Sequence, residues 1–237
     1  MAISELDPAE WRGSEYTILA HDFGLTNDFS TAVVIGKWTD LGRPVFGIMH
    51  AERFPHGLSP TEVVQSVVRL AAEWRVQEIV ADISNQQAHL EQLVGAAHIP
   101  VCPLKITSRS EHSLNPDVGN ITVGGKKARV PVWKLSRTEL IDGLYPFFEA
   151  GTLRITEQGQ GSMIVCELGG LNREITRAAN VVWSCPPSGH DDMAISAAIG
   201  IWAQHYRPVR AVIDPSRLVK RRVSLKSKTR TSAAGWT

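Results

Sequence analysis

Residues 16–54 read YTILAHDFGLTNDFSTAVVIGKWTDLGRPVFGIMHAERF, and this stretch decides the fold class. It holds three runs rich in apolar and β-branched residues, at residues 16–22, 30–38 and 44–54. The two links between these runs contain Gly, Asn and Asp, which favour tight turns. The stretch therefore predicts three strands that pair as an antiparallel meander.

Alternating helices and strands follow the meander. Ser59, Pro60 and Glu62 are typical of a helix start, with an N-cap, a first-turn proline and a capping box. Further along, residues 78–82 (EIVAD) and 99–106 predict strands, with a helix over residues 85–98 between them. Such alternation calls for parallel pairing. A meander fused to parallel units is the order of the ribonuclease-H-like α/β fold, a mixed sheet flanked by helices, although the pattern alone leaves other mixed α/β folds open.

The C-terminal half adds a hairpin and a last helix. Residues 121–133 (ITVGGKKARVPVW) predict an inserted β-hairpin that turns at Gly124–Gly125. A helix over residues 136–150 and a short strand, TLRI, follow. Residues 162–182 are ambiguous between helix and strand, and residues 191–206 predict the final helix.

Composition and charge suggest one domain with two flanking segments. Of 237 residues, 43% are hydrophobic and 21% charged, as in ordinary globular proteins. We expect a lead-in over residues 1–15, the domain over residues 16–206 and a basic, flexible tail over residues 207–237. The tail holds nine Lys or Arg against one acid, which favours contact with nucleic acid or another acidic surface, or simply a solvated terminus.

The absence of certain sequence patterns indicates the cellular compartment that we expect for this protein. No apolar run reaches the roughly 18 residues of a membrane helix, and no signal peptide is evident. The three cysteines are scattered and form no C-x-x-C pair, so neither a zinc site nor a disulfide framework is indicated. We therefore expect a protein of a reducing cytosol without a membrane partner.

Acidic residues stand at three element ends. Asp22 ends the first strand, Asp82 ends the strand after the first helix, and Asp191 and Asp192 open the last helix. Each has a structural interpretation as a turn residue, a cap or a helix-start acid. Together, at one edge of a sheet, they would repel one another unless a cation lay between them. Carboxylates suit Mg²⁺ or Mn²⁺, and two such ions can promote phosphodiester hydrolysis.

Three segments carry a resemblance to a known family. In order, HDFGLTNDFSTAVV, EIVADISNQQ and GHDDMAISAAIGIW look like the nuclease domain of large terminase subunits of tailed bacteriophages. The hairpin segment is similar to one that this family carries before its last conserved helix. The resemblance implies a ribonuclease-H-like fold and a two-metal DNA endonuclease in the host cytoplasm. It further implies that the enzyme cuts double-stranded viral DNA during packaging, beside a packaging ATPase, a portal or a small terminase subunit.

The resemblance also implies roles for individual residues. Asp22 and Asp82 match the first two catalytic metal ligands of the family, and either Asp191 or Asp192 matches the third. Near the hairpin tip, the implied DNA-phosphate contacts are Lys126, Lys127 and Arg129.

Two other functions stay open at this stage. One is a non-catalytic DNA-binding or assembly module, in which the acids are structural. The other is an actin-like nucleotide-binding domain, because Asp22-Phe23-Gly24 resembles a phosphate-binding turn. The motif G-x-x-x-x-G-K-S/T is absent from the sequence, so we do not expect packaging ATPase activity from these residues.

Overall fold

The computed structural model describes residues 14–24, 28–84, 86–107, 115–156, 159–176, 181–186, 189–208 and 210–219. Ten strands lie within these ranges: β1 Tyr16–Asp22, β2 Thr31–Asp40, β3 Arg43–Arg53, β4 Glu78–Asp82, β5 Val101–Thr107, β6 Asp117–Val123, β7 Lys126–Ser136, β8 Leu153–Ile155, β9 Asn172–Ile175 and β10 Val181–Ser184. The helices are α1 Pro60–Glu73, α2 Gln87–Ala96, α3 Arg137–Glu149, α4 Gly161–Gly170, α5 Asp192–Ile201 and α6 Pro215–Val219, with a π-helical turn at Trp202–Tyr206.

Eight strands form one mixed sheet in the order β6-β7-β5-β4-β1-β2-β3-β8. The predicted meander is confirmed, because β1, β2 and β3 pair antiparallel. The predicted parallel units are confirmed as well, since β4 pairs parallel with both β1 and β5. The strands β9 and β10 form a separate two-stranded sheet.

Helices cover both faces of the sheet. On one face, α1 and α2 bury an apolar stripe that includes Val67 and Leu93 against alternate strand residues such as Leu19 and Ile79. On the other face, α3, α4 and α5 pack against the remaining alternate residues, including Ile18 and Val80. Because successive side chains of a strand point to opposite faces of the sheet, the sheet divides the core into two apolar layers.

The helix α5 is the most deeply buried of the described helices. Each residue from Met193 to Ile201 is buried, so the helix has no solvated stripe. It lies close to the sheet because Gly200 has no side chain; a Cβ there would lie 2.2 Å from Ile35 Cδ1. The C-terminal part of α5 is thereby held against the central strands β1 and β2.

Local sequence explains how several elements begin. Ser59 and Glu62 form the predicted capping box of α1. A second capping box, between Ser136 and Glu139, begins α3 directly after β7. The hairpin turns at Gly124 and Gly125, which have φ values of 57° and 78°, a conformation that glycine adopts without strain.

Two segments are joined to the main sheet in ways that the sequence pattern does not indicate. The hairpin forms with the predicted turn, and β7 also pairs parallel with β5, so that the hairpin extends the main sheet. The segment predicted to begin a flexible tail lies against the domain at its start: Arg207 bonds Glu78, and Ile213 pairs with Val101. Residues 220–237, which carry most of the tail's charge, lie outside the described residues. Among the described helices, none is long and apolar enough to cross a membrane.

Candidate functional site

Two acids end adjacent parallel strands. Asp22 of β1 is the register partner of Asp82 of β4. Along β1, Ile18 and Ala20 pack toward α5, and so does Val80 on β4. Because strand side chains alternate, Asp22 and Asp82 are on that same face of the sheet. The expectation that these two carboxylates come together is met by the pairing of the strands.

Asp82 is held by the turn that follows it. Its Oδ1 accepts hydrogen bonds from Ser84 N at 2.9 Å and from Ser84 Oγ at 2.7 Å. Ser84 Oγ in turn accepts from Ile106 N at 2.9 Å, which ties the turn to β5. Asp82 as a whole is only 6% exposed. This local bonding fixes the orientation of the Asp82 side chain.

The third acid comes from the start of α5. Thr31 Oγ1 donates to Asp192 O at 3.1 Å and also contacts Ser196 Oγ at 2.7 Å, so the first turn of α5 is tied to the start of β2. Asp192 Oδ2 is buried and has no hydrogen-bond partner among the described residues. His190 Nδ1 lies 3.8 Å from this oxygen.

Asp191 is oriented differently. Its carboxylate forms an ion pair with Arg137, at the start of α3. Among the described residues, Asp192 but not Asp191 belongs to the charges that act most strongly on Asp22. Asp22 and Asp82 therefore lie side by side, Asp192 is near enough for its charge to act on Asp22, and Asp191 pairs with Arg137.

Electrostatics reflect this crowding. Burial raises the pKa of Asp22 well above its usual range, and the charges of Asp82, Asp192 and Asp28 raise it further, while Arg137 opposes them. Burial also raises the pKa of Asp82, against the hydrogen bonds from Ser84 that lower it. A carboxylate whose pKa is raised by burial and by neighbouring negative charges is stabilised in the ionised form when a cation binds.

Several residues of this region were missed from the sequence. Asp28, on the link between β1 and β2, raises the pKa of both Asp22 and Asp192. The sequence did contain a signal for Asp28: it lies only six residues after Asp22, on the short link that follows β1. Arg53, Arg137 and Glu167 gave no local signal, because their partners are distant in sequence.

The donor set suits a hard divalent cation. Asp22, Asp82, Asp192 and Asp28 offer only carboxylate oxygens, and Mg²⁺ and Mn²⁺ prefer oxygen ligands. The buried, unbonded Asp192 Oδ2 is the kind of atom that an ion would satisfy. Within the described ranges, however, no three acidic, histidine or cysteine side chains lie close enough together to hold a metal ion as they stand.

The basic residues of the hairpin lie elsewhere. The side chains of Lys126, Lys127 and Arg129 are exposed. On β5, Leu104 is level with Asp82 and pairs with Trp133 of β7. Lys127 precedes Trp133 by six positions, which is roughly 20 Å along the strand. The structure therefore does not bring these cations to the acid cluster.

Comparison with known proteins gives matches to solved structures only. No protein-family model and no curated protein matches the chain. The large terminase nuclease from thermophilic phage G20c is similar, with a TM-score of 0.54 and 22% identity over 80% of this chain and 82% of that one. That nuclease is also known with bound magnesium, at a TM-score of 0.53 and 19% identity over 84% of each chain.

Two further viruses supply similar structures. The nuclease domain of the large terminase subunit gp2 of bacterial virus Sf6 has a TM-score of 0.57 and 13% identity over 81% of this chain and 90% of that one. The human cytomegalovirus terminase nuclease domain, soaked with manganese and bound to an inhibitor, has a TM-score of 0.50 and 10% identity over 86% and 90%. The chain thus has the ribonuclease-H-like fold of large terminase nuclease domains, as the sequence resemblance predicted.

Proposed function

We propose that this protein is a divalent-metal-dependent endonuclease that hydrolyses phosphodiester bonds of double-stranded viral DNA during genome packaging. The observation that carries the proposal is that Asp22 and Asp82 end adjacent parallel strands in register, with Asp192 near enough for its charge to act on Asp22. The fold shared with terminase nucleases supports the proposal. So do the magnesium-bound structure of the phage G20c nuclease and the manganese-soaked structure of the cytomegalovirus nuclease domain.

Each acid has a distinct part in the proposal. Asp22 and Asp82 are the central ligands, since their strands hold them side by side, and Asp192 is the third. Asp28, whose charge acts on both Asp22 and Asp192, would add a further carboxylate near the ions, while Asp191 pairs with Arg137. Two bound Mg²⁺ or Mn²⁺ ions would lower the pKa of an attacking water and stabilise the leaving oxygen.

The hairpin and the tail provide contacts with DNA in this proposal. The exposed Lys126, Lys127 and Arg129 would bind phosphates of the same duplex away from the cut site, which strengthens binding without reading sequence. The packaging partners would be an ATPase, a portal or a small terminase subunit, because a packaging nuclease needs DNA presented to it.

Cleavage of supercoiled plasmid DNA tests the proposal. We expect nicking and linearisation with Mn²⁺ or Mg²⁺ and none with EDTA. Asp22→Asn and Asp82→Asn should abolish cleavage while circular dichroism stays unchanged. The control Asp40→Asn makes the same chemical change at an exposed carboxylate at the far end of β2 and should leave cleavage intact.

Two outcomes would contradict the proposal. Cleavage retained by both Asp22→Asn and Asp82→Asn would show that these carboxylates are not catalytic. DNA binding that is independent of metal, with no cleavage and no Mn²⁺ binding by calorimetry, would instead favour a non-catalytic DNA-binding module.

A further inference from the structure

The N-terminus of α5 is capped by another helix. Asp191 stands at the N-cap position, yet its side chain makes no capping hydrogen bond. Instead, Ala194 N in the first turn donates to Glu167 Oε2 of α4 at 2.8 Å. An N-cap side chain normally accepts from this part of the first turn. Glu167 therefore fixes the start of α5 from outside the helix.

The other oxygen of Glu167 pairs with Arg53 at the end of β3. Both side chains are largely buried, with 13% of Arg53 and 7% of Glu167 exposed. Arg53 is itself fixed, because its backbone N donates to Gln160 Oε1 at 2.6 Å and its guanidinium lies 4.7 Å from the centre of the Phe29 ring. The pair therefore joins β3 to α4 rigidly and without strong solvent screening.

Asp192 lies between this pair and β2. It is two residues before Ala194, whose N–H bonds Glu167, and its own carbonyl accepts from Thr31 of β2. Burial raises the pKa of Asp192, and the charge of Arg53 opposes that rise. The same arginine thus balances Glu167 and acts electrostatically on the candidate ligand.

We infer that Arg53 and Glu167 are positioning residues that hold the Asp192 carboxylate where it can reach a metal ion with Asp22 and Asp82. The inference rests on the proposed nuclease function. Neither residue is placed as a ligand: Glu167 has both oxygens engaged, one with Ala194 and one with Arg53. Partners that orient metal ligands from outside typically change metal affinity 10- to 100-fold when they are removed.

Calorimetric titration of the whole chain with Mn²⁺ tests this inference, because it reads metal binding and not turnover. We expect Glu167→Gln and Arg53→Met to raise the Kd for Mn²⁺ by about 10-fold or more. Arg53→Lys keeps the charge and should restore most of the affinity. The double variant Arg53→Met/Glu167→Met removes both charges and keeps a similar side-chain volume, so it should fold. Its affinity for Mn²⁺ should nevertheless remain lower than that of wild type.

A buried pair far from the cluster provides the matched control. Glu78, with no exposed side-chain area, pairs with Arg207, whose side chain is 4% exposed. Glu78 begins β4, four positions or about 13 Å before Asp82. Glu78→Gln should lower the melting temperature of the metal-free protein as the Glu167 change does, yet leave the Kd for Mn²⁺ within twofold of wild type.

The outcomes are distinguishable. If Glu167→Gln, Arg53→Met and the double variant behave like Glu78→Gln, with lower melting temperatures but wild-type Mn²⁺ affinity, the pair is only structural and the inference is overturned. If the wild-type protein binds no Mn²⁺, the proposed function itself fails, and the inference with it.

Discussion

Replacement of Asp22 by asparagine should stabilise the metal-free protein. Asp22 and Asp82 are register partners on strands about 4.8 Å apart. Two unit charges about 5 Å apart repel by about 3 kcal/mol at an effective dielectric constant of about 20. Asp22 is partly exposed, and Arg137 offsets part of the repulsion, so we expect a net gain of about 1–2 kcal/mol from Asp22→Asn.

The gain in stability from Asp22→Asn should increase as the pH rises. The pKa of Asp22 is raised in the folded state, above about 3.9 in the unfolded chain. The stability associated with its protonated form is therefore fully present below about pH 3.9 and is lost as pH rises through the raised pKa. Asparagine does not ionise, so the advantage of the variant should be absent in acid and reach its full size above the folded-state pKa.

Thermal unfolding in EDTA between pH 4 and pH 9 measures this effect. A gain of about 1–2 kcal/mol corresponds to a rise in Tm of about 2–8 °C for a domain of this size. Saturating Mn²⁺ should reverse the order, since a ligand at 100 times its Kd stabilises wild type by about 2.7 kcal/mol. Asp40→Asn, at a carboxylate 51% exposed, should show neither effect. A variant less stable than wild type in EDTA at pH 8 would refute the reasoning.

Three other changes test separate parts of the structure. Asp192→Asn should weaken Mn²⁺ binding in calorimetry, whereas Asp191→Asn should mainly lower Tm because it breaks the pair with Arg137; equal losses of affinity would contradict this division. Gly200→Ala should cost about 1–3 kcal/mol in urea unfolding because its Cβ overlaps Ile35, while Gly95→Ala, whose Cβ meets no atom within 4 Å, should not destabilise. Alanine at the three hairpin cations should flatten the salt dependence of DNA binding by about 0.9 per lost phosphate contact, with Mn²⁺ affinity unchanged; an unaltered slope in fluorescence anisotropy would exclude the contact. These cations are Lys126, Lys127 and Arg129.

Much of the fold was predictable because its signals are local. The alternation of apolar residues in β1 to β3, the capping box at Ser59 and the Gly124–Gly125 turn each depend on residues close in sequence. The strand ends were visible too, so Asp22 and Asp82 could be placed at one edge once parallel pairing was assumed. The prediction of the last helix was less complete, because residues Trp202–Tyr206 form a π-helical turn. In that turn the Gln204 side chain donates hydrogen bonds to the carbonyls of Tyr16 and Ile35.

The sequence by itself determined which residue types end the strands and open the last helix, because those positions follow from periodicity and capping. Only the tertiary structure distinguishes the surroundings of Asp191 and Asp192: Asp191, at the N-cap of α5, pairs with Arg137, whereas the charge of Asp192, in the first turn, acts on Asp22. Likewise, strand register rather than composition set the hairpin cations away from the acids. Contacts such as Arg53 with Glu167, 114 residues apart, exist only when the packed sheet and helices bring them together.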